Sequence, residues 1–283
     1  QVGICAAIIV AASALAPVPV SLAASAAPSW RDRPAARALQ WAVLALALLG
    51  FALPLLATLA DGVPGLAGLA EQPAFWAALL TSLGIAAVSA LAALALGLVV
   101  AAARAATPSR SLRVAIGAPA YAYLAVPAVT LSLGAFLLVR AVGLAPEPVA
   151  PLVVIVANAL LALPFALATL APPLESIALT RGRLIRSLGL SGWRQARDIE
   201  WPLLARDIGL VLALGFCFSL GDLGVIALFG TQDFTTLPLL MLRAVGADRG
   251  DDAAAIAALM LALTIAAFIA IPRIFERLGD ARS

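Results

Sequence analysis

With 64% hydrophobic and only 12% charged side chains over 283 residues, and a mean hydropathy of +1.08, the chain carries more apolar surface than a soluble core can bury. It has no His, and all eighteen basic residues are Arg, so the usual general base and the commonest metal ligand are missing. The net charge of +3 gains meaning only from where the arginines fall.

A membrane-spanning helix needs about twenty mostly apolar residues to cross roughly 30 Å of hydrocarbon. Seven segments qualify: 2–24, 39–60, 75–103, 114–139, 149–171, 207–229 and 253–275. Pro17 and Pro19 interrupt the first, Pro54 the second, and Pro119 and Pro127 the fourth, which a bundle tolerates when neighbouring helices satisfy the freed carbonyls. Cys5 and Cys217 lie far apart in apolar stretches and read as packing residues, not a disulfide or a zinc site. The apolar start at Gln1, with no charged region before it, reads as a cut from a longer polypeptide.

If the spans alternate, fifteen arginines fall on one side, including Arg31, Arg104, Arg113, Arg181, Arg194 and Arg273. Arg140, Arg243 and Arg249 fall on the other, beside Asp61, Glu71, Glu147, Asp233, Asp248, Asp251 and Asp252. The positive-inside rule makes the richer side cytoplasmic, with the C-terminus inside. The expected fold class is an all-α integral membrane protein, a polytopic helical bundle in the lipid bilayer. Its expected parts are one separate span at 1–28, a cytoplasmic linker at 29–38, and a six-span lobe at 39–283 with its core at about 75–275. Such a lobe can be half of a pseudo-symmetric pair.

The longest polar stretch lies between spans five and six. From Arg181 to Ala196 it is rich in arginine and helix-compatible, with Leu184, Ile185, Leu188 and Leu190 as apolar members and Gly189 and Gly192 as interruptions. The pattern predicts a short helix, a glycine bend, and a second short helix ending before Pro202. Two roles fit: a handle for a partner outside the membrane, or an interfacial segment whose arginines meet lipid phosphates.

Gly189, Ile199 and Pro202 have the spacing of the cytoplasmic "EAA" loop of ABC importer permeases, although the glutamate and two alanines that name the motif are replaced by Arg183, Leu184 and Ile185. The run Ser219-Leu220-Gly221-Asp222-Leu223-Gly224, the later Phe234-Thr235-Thr236-Leu237-Pro238, and Asn158 followed by Pro164-Phe165-Ala166 resemble the permeases of bacterial thiamine and thiamine-diphosphate importers. That resemblance runs in order over essentially the whole chain. It implies a type I ABC importer transmembrane fold, the C-terminal lobe of a fused two-lobe permease together with the last span of the missing N-terminal lobe. It also implies two ABC ATPase subunits, a periplasmic substrate-binding protein, and a place in the bacterial inner membrane. The loop of Arg186, Ser187, Leu188, Gly189, Leu190, Ser191, Gly192, Trp193, Ile199 and Pro202 would then couple ATP hydrolysis on the partner to the spans.

Asp222 is expected roughly 22 Å along the sixth span from Asp207, at 1.5 Å per residue. An acid at that depth is either a pathway residue that attracts a cationic solute such as a thiazolium, or a cap for amides freed by a helix break at Ser219, Gly221 and Gly224. Asn158 is the second pathway candidate, while Tyr121, Tyr123, Thr130, Ser132 and Trp76 read as interhelical or interfacial contacts. The small residues from Gly84 to Ala90 predict close helix packing. Walker patterns, glycine-rich phosphate cradles and zinc spacings are absent from the sequence. No cofactor, no metal and no nucleic-acid partner is therefore expected. Ferric iron or polyamines are alternative cargoes; an intramembrane enzyme or an assembly factor is a competing class.

Overall fold

The computed structural model describes residues 34–122, 126–231 and 233–280. The expected first span at 2–24, with Cys5, lies outside the described residues, as does Tyr123. Among the described residues every regular element is helical. Helix α1 spans Pro34–Gly62 and leads through a short 3₁₀ turn into α2, Leu66–Ala70. Then come α3, Pro73–Ala106; α4, Arg110–Ala122; α5, Ala128–Ala141; and α6, Pro146–Ser187. Helix α7 runs continuously over Trp193–Leu220, followed by α8, Ile226–Phe229, α9, Leu237–Gly246, and α10, Gly250–Asp280. The five long apolar helices α1–α2, α3, α6, α7 and α10 are each sufficient to cross a membrane, which makes this an all-α polytopic membrane protein.

The centre is α3, α6 and α7, with α10 against α7 and α1 outermost against α10. Close packing follows from a stripe of small residues. On α3 the buried face is Phe75, Ala78, Ser82, Ile85, Ala86, Ser89, Ala90, Ala93, Gly97 and Ala101, small at every position but Phe75 and Ile85. Backbones then approach so nearly that a Cβ on Gly215 of α7 would lie 3.0 Å from the Ala90 Cα. In lipid, where apolar surface gains little by leaving tails for other tails, such contact is what holds helices together. Of the predicted series at 84–90, Gly84 is outside this seam: a Cβ there would meet nothing within 4 Å.

Three expectations about the helices need correction. The expected span 114–139 is two helices, α4 and α5, separated at Pro127. The proline ring disfavours helical geometry in the residue before it, and Pro127 itself is extended at ψ 140°. Second, the polar stretch from Arg181 does not open a separate short helix. It is the end of α6, which has 42 residues and a length of roughly 63 Å, about twice the hydrocarbon core. Third, the helix after the glycine bend does not stop before Pro202. A π-helical turn at Ala196–Glu200 supplies the extra residue that lets the ring into the helix, and α7 continues to Leu220.

Candidate functional site

Two features stand apart from ordinary helix packing: the turn between α6 and α7, and the break after α7 at the opposite end of the bundle.

The turn is built by glycine. Helix α6 closes with the Leu190 N–H donating to the Ile185 carbonyl at 3.1 Å and the Leu188 N–H donating to Leu184 at 3.0 Å. This is a Schellman cap, and its left-handed residue is Gly189 at φ +66°. Gly192 follows at φ +59°, ψ −131°, a backbone region open essentially to glycine alone. Nothing crowds either position, so conformation and not space demands glycine there. Ile185 is buried, and Leu190, Ile199 and Trp201 pack against the same cluster, with Trp201 stacked obliquely on Phe275 of α10 at 6.0 Å.

The outer side of the turn is apolar yet uncovered. Trp193 is 78% exposed, Leu188 61% and Leu184 57%. Ser187 and Ser191 are exposed beside them, and the Ser187 hydroxyl donates back to the Leu184 carbonyl. Arg186 lies in the last turn of α6, and Pro202 lies in α7 beyond the π-turn. Gln195 donates to Glu200 across that π-turn at 2.7 Å, which fixes its inner face. The predicted loop residues thus divide into those that anchor (Leu190, Ile199), those that set the turn (Gly189, Gly192) and those that project (Leu188, Trp193).

At the other end, α7 stops at Leu220 and the chain returns through α8 to α9. Asp222 is therefore past the end of the helix, not inside it as predicted. Gly221 closes the helix, with its N–H on the Cys217 carbonyl. The Asp222 carboxylate accepts the Val225 N–H at 3.2 Å through Oδ1 and caps the next turn. Asn158, only 1% exposed on α6, donates to the Ser219 hydroxyl at 3.0 Å and lies beside Asp222. The Ser132 hydroxyl of α5 shares its one proton between the Ala128 carbonyl of its own helix at 2.8 Å and the Gly224 carbonyl at 3.2 Å. Ser82 of α3 accepts the Leu237 N–H at 2.7 Å and so caps α9 from across the core. Arg243 grips the Thr231 carbonyl and the Thr235 hydroxyl, each at 3.0 Å. Irregular backbone between membrane helices requires such partners, because lipid offers none.

Sequence reasoning placed Asn158, Ser132 and Asp222 among the polar candidates and associated Ser219 with the break, but it missed Ser82. The signal was present: Ser82 and Ser89 lie seven residues apart on the alanine-rich face of α3. A serine on that face presents its hydroxyl to whatever packs there. Asp222 Oδ2 and Asn158 Oδ1 are buried acceptors without a hydrogen-bond partner among the described residues.

Five spanning helices, a projecting turn and a laced internal break define a polytopic helical membrane protein. No protein-family profile matches the chain. Individual relatives do: it is 36% identical over 225 residues to the thiamine transport system permease protein of Brucella abortus (strain 2308), covering 79% of this chain and 41% of that protein. It is 35% identical over 258 residues to the protein of the same name in Escherichia coli (strain K12), covering 87% of this chain and 47% of that one. A putative 2-aminoethylphosphonate transport system permease protein of Salmonella paratyphi A matches at 30% identity over 130 residues, 45% of this chain and 48% of that one. The chain is a relative of these transport-system permeases, in agreement with the importer-permease resemblance of its motifs. It spans about half the length of the thiamine transport permeases it matches, 41% of one and 47% of another.

Proposed function

We propose that the chain is one membrane-spanning lobe, of the type I fold, of an ATP-driven ABC importer in the bacterial inner membrane, with thiamine or a thiamine phosphate as its cargo. The observation that carries this is a relative named for thiamine transport whose match extends over 87% of this chain. In this reading residues 39–283 are the lobe and residues 1–28 belong to a preceding one, joined by a linker at 29–38. The turn between α6 and α7 faces the cytoplasm with the C-terminus, and ATP is hydrolysed on two separate ATPase subunits. Leu188 and Trp193 would enter a groove on one of them, while Arg186, Ser187 and Ser191 meet its rim. Gly189 and Gly192 hold the shape, and Leu190, Ile199 and Pro202 carry the motion back to the spans.

A periplasmic binding protein would deliver cargo at the opposite end, where the break carrying Asp222 lies. Asp222 already caps a turn with one oxygen. Its other oxygen and the Asn158 carbonyl oxygen offer acceptors to a cationic or amine-bearing solute. Thermal protection of the assembled complex by a panel of solutes tests the cargo. Thiamine or its diphosphate should raise the unfolding temperature of complex and binding protein. Protection by 2-aminoethylphosphonate, iron or a polyamine alone would overturn the thiamine assignment.

A further inference from the structure

The projecting turn needs a pivot where α6 leaves the bundle. Pro172 and Pro173 free the carbonyls of Ala168 and Thr169 from helix hydrogen bonds, a natural place for α6 to bend. Glu175 lies two residues beyond Pro173 and is the last acidic residue before the turn. Its Oε1 lies 3.2 Å from Arg104 Nη2 at the end of α3, and its Oε2 lies 3.9 Å from Arg113 Nη1 in the first turn of α4. One carboxylate therefore ties three helices at the level where α6 emerges. Gly117 of α4 makes the room, since a Cβ there would sit 2.9 Å from the Arg104 guanidinium.

The knot is under-satisfied. Nε of both arginines and Oε1 of Glu175 are buried without an aligned hydrogen-bond partner among the described residues, so the attraction is ionic and weakly directional. Between the knot and the turn lies a cavity of about 580 Å³, bordered by Thr107, Glu175, Leu190, Ser191 and Gln195. The arm of α6 beyond the knot, residues 176–187, is roughly 18 Å long. Ile177 and Ile185 keep one face of the arm on the core cluster, and the cavity leaves it space on the side toward the end of α3.

We propose that Glu175 is a positioning residue, the fulcrum through which displacement of the 176–193 arm reaches α3 and α4. With both arginines engaged, the arm is held to the bundle. When the arm swings, the weaker Arg113 contact opens while Arg104 keeps the pivot. The role of this fulcrum in transport rests on the importer reading above.

Two measurements test it. Spin labels at the exposed positions Ala103 and Leu179, in the full chain with both cysteines replaced by alanine and reconstituted in nanodiscs, read the distance from arm to bundle. Glu175→Gln should broaden that distance, and the full charge exchange, Glu175→Arg with both Arg104→Glu and Arg113→Glu, should narrow it again. An unchanged distribution in E175Q overturns the fulcrum. In the assembled transporter, solute moved per ATP hydrolysed should fall about tenfold in E175Q, the scale of a modest coupling energy, while ATPase activity persists. Restoration by the charge exchange supports the role. An unchanged ratio, or a loss that the exchange does not restore, overturns it. Should the wild-type complex hydrolyse ATP without moving solute, the importer reading fails, and the distance measurement alone still decides the fulcrum.

Discussion

The two turns that flank α7 solve opposite problems. The break after Leu220, irregular at 221–225 and again between α8 and α9, takes its partners from the core: serines from two other helices and Asp222 bond its backbone, and an asparagine on a third holds Ser219 just before it. The turn at 188–192 is irregular backbone in the open, and it is held almost entirely by its own Schellman cap. One is fixed by its neighbours and the other by its glycines. The first belongs to the global stability of the bundle. The second has few ties beyond itself, chiefly Leu190 on the core cluster, so it can open locally before the bundle unfolds, while that one tie links it to the spans.

The largest test removes a neighbour from the buried break. Ser82→Val leaves the Leu237 N–H without an acceptor at the start of α9, at a cost of about 1–3 kcal/mol. Thermal unfolding in detergent should show a clear drop in the midpoint for the whole bundle. A midpoint equal to that of wild type would mean that α9 does not depend on its cap and that the break is not laced as described.

A smaller effect is expected at the exposed turn. Gly189→Ala forces a side chain into φ +66°, at a cost of about 1–2 kcal/mol. Because the site is open, that cost should appear as local opening: faster proteolysis and faster amide exchange at 186–192, with the global midpoint little changed. Gly189→Asn should behave nearly as wild type, since asparagine tolerates the left-handed region. A global loss of stability with Ala, or equal loss with Asn, would erase the contrast between the two regions.

The sequence revealed these regions unequally, for physical reasons. Hydrophobic runs located α1, α3, α6, α7 and α10 because crossing hydrocarbon imposes length and composition directly. The bend at Gly189 and Gly192 was legible because positive φ selects glycine. Where the helices end was not legible. An apolar run continues past Leu220 through Val225–Phe229, so hydropathy alone extended the sixth span over the break and carried Asp222 into it. The proline at 202 marked a boundary by the usual rule, and the π-turn before it removed the conflict. Ser82 and the knot at Glu175 depend on partners 155 and 71 residues away, which no local pattern encodes.

The smallest effect on folding is expected at Trp193, and it is where the functional reading is most exposed. A tryptophan with 78% of its surface free contributes little to the bundle, so Trp193→Ala should leave stability within about 0.5 kcal/mol of wild type. An aromatic that projects from a glycine-set turn, with Leu188 beside it, nevertheless has the chemistry of an interface anchor. If the turn docks into an ATPase groove, the same substitution should weaken that association by about 2 kcal/mol or more, some thirtyfold. Co-purification of the ATPase should fall accordingly while the permease yield holds. If the ATPase stays bound, Trp193 faces lipid headgroups and the turn is an interfacial segment. The residue that matters least to the fold therefore discriminates between the two roles the loop's composition allows.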